Sequence, residues 1–323
     1  MSNISISVVI PLFNKENQIR TTLLSLFNQT FQNFEIIIIN DGSTDRSVEQ
    51  VKEFNDNRIR IISQTNQGVS VTRNNGIKAA QSDYVAFLDA DDEWEPGYLE
   101  TQMELIRKFE DCSVFACAYK IQRYNGKTGK VVLHKMPFSG ESGILSNYFE
   151  VASCSSPPLW TSAVVAKKEA LLSVGGFPAN VHSGEDLLTW AKLAVNYKIA
   201  YSKKICAIYI MDKSYDINEK PSRLHDKKDV VSCELVKLYK NSSPKIKLSL
   251  KKYLSLWYKM KASVFLRLPD RKKALTYSFR SLKYNCRNSK VYLFILLALC
   301  PEFIQDFVKR KYQEIILDDY ESN

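Results

Sequence analysis

Short apolar runs alternate with segments of helical periodicity over the first 110 residues of the chain. Four apolar runs predict β-strands: ISVVIPLF (6–13), FEIIIIN (34–40), RIRIIS (58–63) and YVAFL (84–88). Three intervening segments predict helices: ENQIRTTLLSLFNQT (16–30), DGSTDRSVEQVKEF (41–54, after a turn) and VSVTRNNGIKAAQ (69–81). Strands that alternate with helices predict βαβ units with right-handed crossovers. The fold class is therefore α/β, with a mostly parallel central sheet flanked by helices.

Aromatic and acidic side chains follow the predicted strands at the points where they end. Phe13 follows the first strand, Asp41 the second, and Asp89 and Asp91 the fourth. Because parallel strands end at one edge of their sheet, these residues are expected to converge there, where ligands bind. Like charges this close repel, so the carboxylates need a cation. Mg²⁺ and Mn²⁺ take carboxylate oxygens together with substrate phosphates, so the pattern fits a metal at Asp91 and a nucleotide at this edge.

Each of these patterns alone has a plainer interpretation. DGSTD (41–45) is a common turn with a helix cap, for which Thr44 or Asp45 is suited, and DADDEWEP (89–96) also suits a solvated loop before a helix. The sequence contains no GxGxxG, GxxxxGK[ST], HExxH or GxSxG motif. We therefore do not expect a Rossmann dehydrogenase, a P-loop ATPase, a zincin or a serine hydrolase.

Charge and helical signals divide the chain into two parts. Short strand patterns fill 112–210, and the signal is helical from about 222 onward. Residues 213–311 contain 24 Lys and Arg against 8 Asp and Glu, although the whole chain has 45 against 35. We predict an α/β domain over 1–215, with a nucleotide-binding part (1–111) and a second part of mixed structure (112–215). A basic helical region over 216–323 would follow it.

The cysteine and hydropathy patterns bear on the cellular location. Seven cysteines form an odd set without a CxxC pair, which favours reduced thiols over a disulfide framework or a zinc site. The amino-terminal residues are unlike a signal peptide, and the longest apolar run, VYLFILLALC (291–300), is shorter than a spanning helix needs. A cytoplasmic protein is expected.

Several blocks of sequence together resemble the family 2 glycosyltransferases, which have the GT-A fold. The blocks are SVVIPLFN, INDGSTD and NQGVSVTRNNGIKAAQSDYVAFLDADD, continued by TSAVVAKKEALLSVGGF and GEDLLTWAKLA over roughly residues 5–210. The resemblance implies an inverting transferase that moves a sugar from a nucleotide-diphosphate sugar, first of all a UDP-sugar, with Mn²⁺ or Mg²⁺. The Q-x-x-R-W signature of processive synthases is absent. A single-sugar transfer to a glycan or lipid-linked acceptor, in cell-surface polysaccharide synthesis, is therefore expected.

The resemblance also implies roles for individual residues. Nucleotide-binding roles fall on Pro11, Phe13, Glu16, Asp41, Arg73 and Asp89. Phe13 would stack on a uracil-type base, and Asp41 would accept a hydrogen bond from its ring N–H. Asp91 would ligate the metal on the diphosphate. Asp186, in GEDLLTW, stands in the place of the general base that takes the acceptor's proton.

The resemblance further implies that 1–215 is the catalytic domain and that 112–215 is its acceptor part. Four further residues are candidates for the acceptor side of the site. Glu185 rivals Asp186 as the base, but neighbours in a helix point in different directions and only one should face the site. Gly176 suits a close approach of the sugar to the backbone or, equally, plain turn chemistry. Trp160 and Trp190 could line the acceptor cleft, although core packing is the more common role of such residues.

Two other classes of function compete with an enzyme. A catalytically silent, nucleotide-sugar-binding scaffold on the same fold is disfavoured because the expected metal, nucleotide and base residues are all present, namely Asp41, Asp89, Asp91 and Asp186. The basic carboxyl-terminal region suggests nucleic-acid binding as another hypothesis, but the sequence has no RNA-binding signature to accompany it. That region has 16 Lys and Arg and one acid between 235 and 290, interleaved with apolar residues. We therefore predict peripheral attachment to an anionic membrane face, with Phe303, Phe307 and Val308 near the interface.

Overall fold

The structure is a computed structural model, and it describes residues 4–211, 228–268 and 270–301. The chain divides after Met211 into two compact units.

The first unit is built on one mixed sheet whose strands are β1 (Ile6–Leu12), β2 (Phe34–Asn40), β3 (Ile59–Ser63), β4 (Tyr84–Phe87), β5 (Glu93–Trp94), β6 (Val114–Arg123), β7 (Thr128–Lys130), β8 (Ser142–Ile144), β9 (Val164–Lys167) and β10 (Ile199–Met211). Its helices are α1 (Ile19–Phe27), α2 (Ser47–Lys52), α3 (Val69–Ala79), α4 (Tyr98–Lys108), α5 (Tyr148–Cys154), α6 (Lys168–Ser173) and α7 (Glu185–Asn196). The strand order is β3-β2-β1-β4-β9-β6-β10-β5, with β7 on β6 and β8 on β10. The predicted α/β class and its mostly parallel core are confirmed.

Four consecutive neighbours of this sheet, β3, β2, β1 and β4, run parallel. Leu12 pairs with Asn40, so β1 and β2 end side by side, and Val9 pairs with Phe87 near the end of β4. β9 is antiparallel to both β4 and β6. The loops after β1, β2 and β4 therefore share one edge of the sheet, which we call the rim.

Apolar burial explains why these runs form central strands. The isoleucines of β2 are fully buried, as a strand covered on both faces requires. Gly76 lets α3 lie close on the sheet, because a Cβ there would stand 2.2 Å from Cγ1 of Val9. This close approach sets the position of α3, which carries Arg73 to the rim.

Two helices begin later than the sequence patterns predict. α1 begins at Ile19 rather than at residue 16, since the loop before it is bonded to the loop after β2. In that contact the backbone N–H of Lys15 donates to Oγ of Ser47 at 2.7 Å. α2 begins at Ser47, and its N-cap position is Arg46 rather than either predicted residue, Thr44 or Asp45. The Asp45 carboxylate accepts from the Ser47 N–H at 3.0 Å from the position before the cap.

The second unit is helical in its described part, with α8 (Val230–Asn241), α9 (Pro244–Arg267), α10 (Arg271–Tyr284) and α11 (Ser289–Leu299). α9 and α10 pack through small residues, and the Ser255 and Ser281 hydroxyls meet at 2.9 Å in a buried contact between them. Leu250, Leu254 and Trp257 lie on the buried face of α9, and Lys261 beside Trp257 is only 7% exposed. No helix in the described residues has the length and hydropathy needed to cross a membrane.

Candidate active site

Three carboxylates follow β4 in the run YVAFLDADD, and each has different partners. Asp89 accepts hydrogen bonds from Nη2 of Arg73 at 2.7 and 3.0 Å. Oδ2 of Asp91 lies 2.6 Å from the ammonium of Lys15. The Asp92 side chain is buried. The protein thus supplies a cation to Asp89 and to Asp91 and buries Asp92. The described residues contain no group of three or more metal-ligating side chains.

Asp92 is a structural carboxylate. Its oxygens accept hydrogen bonds from Nε1 of Trp160 at 3.0 Å, from the Ser162 hydroxyl at 2.5 Å and from the backbone N–H of Ile210 at 3.0 Å. Burial, reinforced by the neighbouring carboxylates, raises the pKa of Asp92 well above its usual range. Asp92 therefore ties the segment before β9 and the end of β10 to the rim.

Arg73 connects the rim to the start of α7. Its side chain is buried, and Nη1 lies 3.3 Å from Oε1 of Glu185 while Nη2 bonds Asp89. Burial alone would lower the pKa of Arg73, but the charges of Asp89, Glu185 and Asp186 outweigh it and raise that pKa. The Arg73 guanidinium thus interacts electrostatically with three of the predicted site carboxylates.

The two acids that begin α7 have different environments. Glu185 is 4% exposed and its Oε1 faces Arg73, whereas its Oε2 is among the buried atoms for which the described structure has no hydrogen-bond partner. Asp186 is half-buried, and its Oδ1 accepts from the backbone N–H of Leu187 at 2.7 Å. Of the two acids that begin α7, Asp186 is therefore the one whose side chain has access to solvent.

The base-binding residues predicted after β1 and β2 lie at the same edge of the sheet. Phe13 is 44% exposed, an unusual state for a large aromatic residue beside a buried strand. Asp41 is buried and accepts from Nε2 of Gln64 at 2.7 Å and from the backbone N–H groups of Gln67 and Gly68 at 2.8 and 2.9 Å. Among the hydrogen bonds of the described residues, only that from Gly68 reaches Oδ2 of Asp41, so that oxygen retains a lone pair for another donor.

Glu16 and Pro11 shape the walls of this region. Oε2 of Glu16 accepts from the backbone N–H of Arg46 at 2.9 Å, immediately before α2 begins. Pro11 lies within β1, opposite Ile39 of β2. Glu16 is therefore bonded to the segment before α2, and Pro11 is paired within the sheet.

The predicted acceptor residues do not form one group. Trp190 has no exposed surface and packs against Phe87 and Phe177, so it belongs to the core and not to the wall of an open cleft. Trp160 is half-buried, and its ring lies 4.1 Å from that of Tyr209 as it donates to the buried Asp92 carboxylate.

Gly176 belongs to a tight backbone contact. It has φ +64°, and a Cβ there would stand 2.3 Å from Oδ1 of Asn74. The Asn74 amide in turn bonds both the N–H and the C=O of Phe177, at 2.8 and 2.7 Å. The space beside Gly176 is filled by Asn74, which favours turn chemistry over a close approach of the sugar.

Three residues of the site were missed by sequence reasoning. Lys15 pairs with Asp91, Gln64 holds Asp41, and Asn74 fixes the segment that leads to α7. Lys15 directly follows SVVIPLFN, and Asn74 directly follows Arg73, so their adjacency to motif residues was an available signal. Gln64 gives no such signal, because its contact depends on the fold of the loop after β3.

Comparison with known proteins identifies the domain. Residues 7–160 match the model of glycosyl transferase family 2. The chain is 48% identical over 114 residues to YibD of Escherichia coli K12, named as an uncharacterized glycosyltransferase; the match covers 35% of this chain and 33% of YibD. It is 46% identical over 105 residues to EpsH of Bacillus subtilis 168, also named as a glycosyltransferase, with 32% and 30% covered. The matches thus span about a third of the length of these relatives.

Solved structures share the fold at low sequence identity. A fragment of S. aureus TarS in complex with UDP-GlcNAc superposes with a TM-score of 0.60 at 18% identity, covering 88% of this chain and 92% of the fragment. The mannosyltransferase PcManGT of Pyrobaculum calidifontis, in complex with GDP-Man and Mn²⁺, gives 0.58 at 16% identity, covering 91% and 85%. The predictions of family and fold are confirmed: residues 7–160 match the family 2 glycosyltransferases, and the structure shares the fold of these GT-A enzymes.

Proposed function

We propose that this protein is an inverting, metal-dependent transferase of a single sugar. The donor is a nucleotide-diphosphate sugar and the acceptor a glycan or a lipid-linked saccharide of cell-surface polysaccharide synthesis. The proposal rests on one observation: Arg73 binds both Asp89 and Glu185, the neighbour of Asp186, at the rim that also carries Phe13 and Asp41. A nucleotide and a sugar acceptor can meet at such an edge.

The chemistry of the rim selects the class of nucleotide. The exposed ring of Phe13 offers a face on which a base can stack. Asp41, with its remaining lone pair on Oδ2, can accept a hydrogen bond from a base N–H, and the resemblance to the family assigns this contact to a ring N–H. Uracil, thymine and guanine have this group, whereas adenine and cytosine do not. UDP-sugars are therefore the first donors to test, and the TarS fragment binds UDP-GlcNAc.

Asp186 is the proposed general base. As the acceptor oxygen bonds to the anomeric carbon, the bond from that carbon to the diphosphate breaks and the hydroxyl proton passes to the Asp186 carboxylate. Displacement from the opposite face inverts the anomeric centre, so an α-linked donor gives a β-glycoside. Glu185 is turned toward Arg73 and would hold that guanidinium in place.

The rim fits a divalent metal that arrives with the donor. The Asp91 side chain is 33% exposed at the end of β4, and hard cations bind through one or two protein carboxylates with phosphate and water completing the shell. Asp91 is the proposed ligand, and Asp89 remains bonded to Arg73. When bound, Mn²⁺ or Mg²⁺ would stabilise the charge that develops on the leaving diphosphate.

Transfer assays with UDP-sugars and Mn²⁺ test this function, with Asp186→Asn as the main variant. We expect Asp186→Asn to bind UDP-sugar as the parent does but to lose transfer by about 10²–10⁴-fold, the usual contribution of a general base. Equal losses in affinity and rate would make Asp186 a binding residue, and a larger kinetic effect of Glu185→Gln would transfer the role to Glu185. A parent protein that binds UDP-sugar without any turnover would favour the silent scaffold.

We also propose that the chain consists of a catalytic domain (1–215) and a basic helical region (216–323). The helical second unit is the part proposed to face a membrane. On α11, Tyr292, Leu296 and Leu299 share one face and are 48%, 60% and 65% exposed. The surrounding region is strongly basic, and an anionic lipid surface attracts basic residues at up to ~1 kcal/mol each. The predicted contacts at 303, 307 and 308 lie outside the described residues. We propose attachment to the inner face of the plasma membrane, where a lipid-linked acceptor is available.

Vesicle pelleting tests this attachment. The protein should pellet with anionic vesicles at low salt, pellet far less with neutral vesicles, and be released by high salt because screening weakens the attraction. A triple variant with Tyr292→Ser, Leu296→Ser and Leu299→Ser keeps every charge but loses the exposed apolar face of α11, so it should pellet less. Protein that stays in the supernatant with anionic vesicles at low salt would leave the second unit as a structural bundle.

A further inference from the structure

Lys15 is aimed across the rim at the residue proposed to meet the metal. Its ammonium lies 2.6 Å from Oδ2 of Asp91, and the two side chains are 35% and 33% exposed. The Lys15 backbone is fixed by its bond to the Ser47 hydroxyl at the start of α2. The loop is therefore held in place while the long side chain remains partly solvated.

This ion pair conflicts with metal binding at the same carboxylate. A divalent cation on Asp91 would stand close to the ammonium, and like charges at that distance repel. The Lys15 side chain has a flexible four-carbon stem with three N–H donors, and it is not packed in the core. Its lowest-cost response is to turn toward the nearest new negative charge, which at this rim is the diphosphate of the donor.

We propose that Lys15 is a counter-ion that exchanges partners: it neutralises Asp91 in the empty site and binds the donor's diphosphate when Asp91 passes to a divalent cation. This inference deepens the proposed function and rests on it for the diphosphate step. It has two consequences. Lys15 weakens the binding of metal alone, and it contributes to nucleotide affinity even without metal, through an ammonium–phosphate contact.

Binding measurements on three purified variants test both consequences. Lys15→Met removes the charge and keeps most of the apolar stem, and Lys15→Arg restores a cation. Lys52→Met is the matched control, because Lys52 is exposed in the last turn of α2. That helix runs back from the rim, so its last turn lies away from Asp91. Thermal unfolding of each variant checks that the domain is folded.

Three titrations are required: Mn²⁺ alone followed by electron paramagnetic resonance, UDP in EDTA followed by calorimetry, and uridine in EDTA. Lys15→Met should bind Mn²⁺ about fivefold more tightly, the factor given by ~1 kcal/mol for a partly exposed ion pair. Its affinity for UDP in EDTA should fall by roughly tenfold, the effect of a charge-assisted contact. Uridine, which has no phosphate, should bind all proteins equally. Lys15→Arg should recover most of the UDP affinity, and Lys52→Met should match the parent.

Two results would overturn the proposal. Unchanged Mn²⁺ affinity in Lys15→Met would show that Lys15 does not compete for Asp91. Equal losses of UDP and uridine affinity would make Lys15 a structural clamp on the loop. A parent protein that binds no nucleotide under any condition would contradict the proposed function itself. The Mn²⁺ titration would still decide whether Lys15 competes with the metal for Asp91.

Discussion

Replacement of Gly176 by alanine separates a structural glycine from one that a substrate approaches. Gly175 and Gly176 are adjacent, and both have left-handed backbones, with φ of +82° and +64°. A Cβ at Gly175 meets nothing within 4 Å, whereas at Gly176 it stands 2.3 Å from Oδ1 of Asn74. The two alanine variants therefore share the backbone penalty and differ in one contact.

The expected loss of stability follows from these contacts. A left-handed alanine costs about 1 kcal/mol, which is the whole effect expected for Gly175→Ala. Gly176→Ala also displaces the Asn74 amide from the two bonds that it makes to Phe177. Each such bond contributes about 1 kcal/mol, so the total is about 3 kcal/mol. In a domain of this size the midpoint of thermal unfolding should fall by about 3 °C for Gly175→Ala and about 9 °C for Gly176→Ala.

Denaturant titration and a double-mutant cycle measure this difference. In an Asn74→Ala background the clash is gone, so Gly176→Ala should cost no more than Gly175→Ala does in the parent. Equal losses for the two glycine variants in the parent would refute the reasoning. Gly176 would then stay open as a position for close approach of the sugar.

Two further predictions concern the carboxylates after β4. Asp91→Ala should abolish the gain in UDP affinity that Mn²⁺ gives while lowering the free energy of unfolding by no more than about 1 kcal/mol, since a partly exposed ion pair adds little; transfer at the parent rate would exclude Asp91 as the metal ligand. Burial raises the pKa of Asp92, so the folded state retains this proton to higher pH than the unfolded chain. The stability contributed by this group is therefore present below about pH 4 and is lost as pH rises through the folded pKa. Urea titrations between pH 4.5 and 8 should show a shallower decline in Asp92→Asn than in the parent, and identical slopes would contradict a raised pKa.

The strands and their common edge were predictable because local pattern and topology agree. A run such as FEIIIIN is short, β-branched and has no polar face, which is typical of a strand covered on both sides, and β2 occupies that run in full. Once β1, β2 and β4 are parallel neighbours, the residues after them must lie at one edge. Neither step requires knowledge of side-chain contacts.

The partners of the site residues were not predictable, because they come from distant segments. Arg73 and Glu185 are 112 positions apart, and their approach depends on the path of the chain through β9 and α6. Asn74 meets Phe177 across a similar separation. No periodicity within one helix or strand records such a contact.

Asp91 and Asp92 show how far local sequence can assign chemistry. They are identical, adjacent residues of one loop, yet one side chain is a third exposed beside Lys15 and the other is buried under Trp160 and Ile210. A carboxylate held by three internal donors has little capacity left for a ligand, whereas one held by a mobile ammonium can exchange it. The capacity to bind a metal therefore depends on what a ligand must displace and not on the acid itself. At this rim that argument favours Asp91, and it makes Lys15 part of the same site.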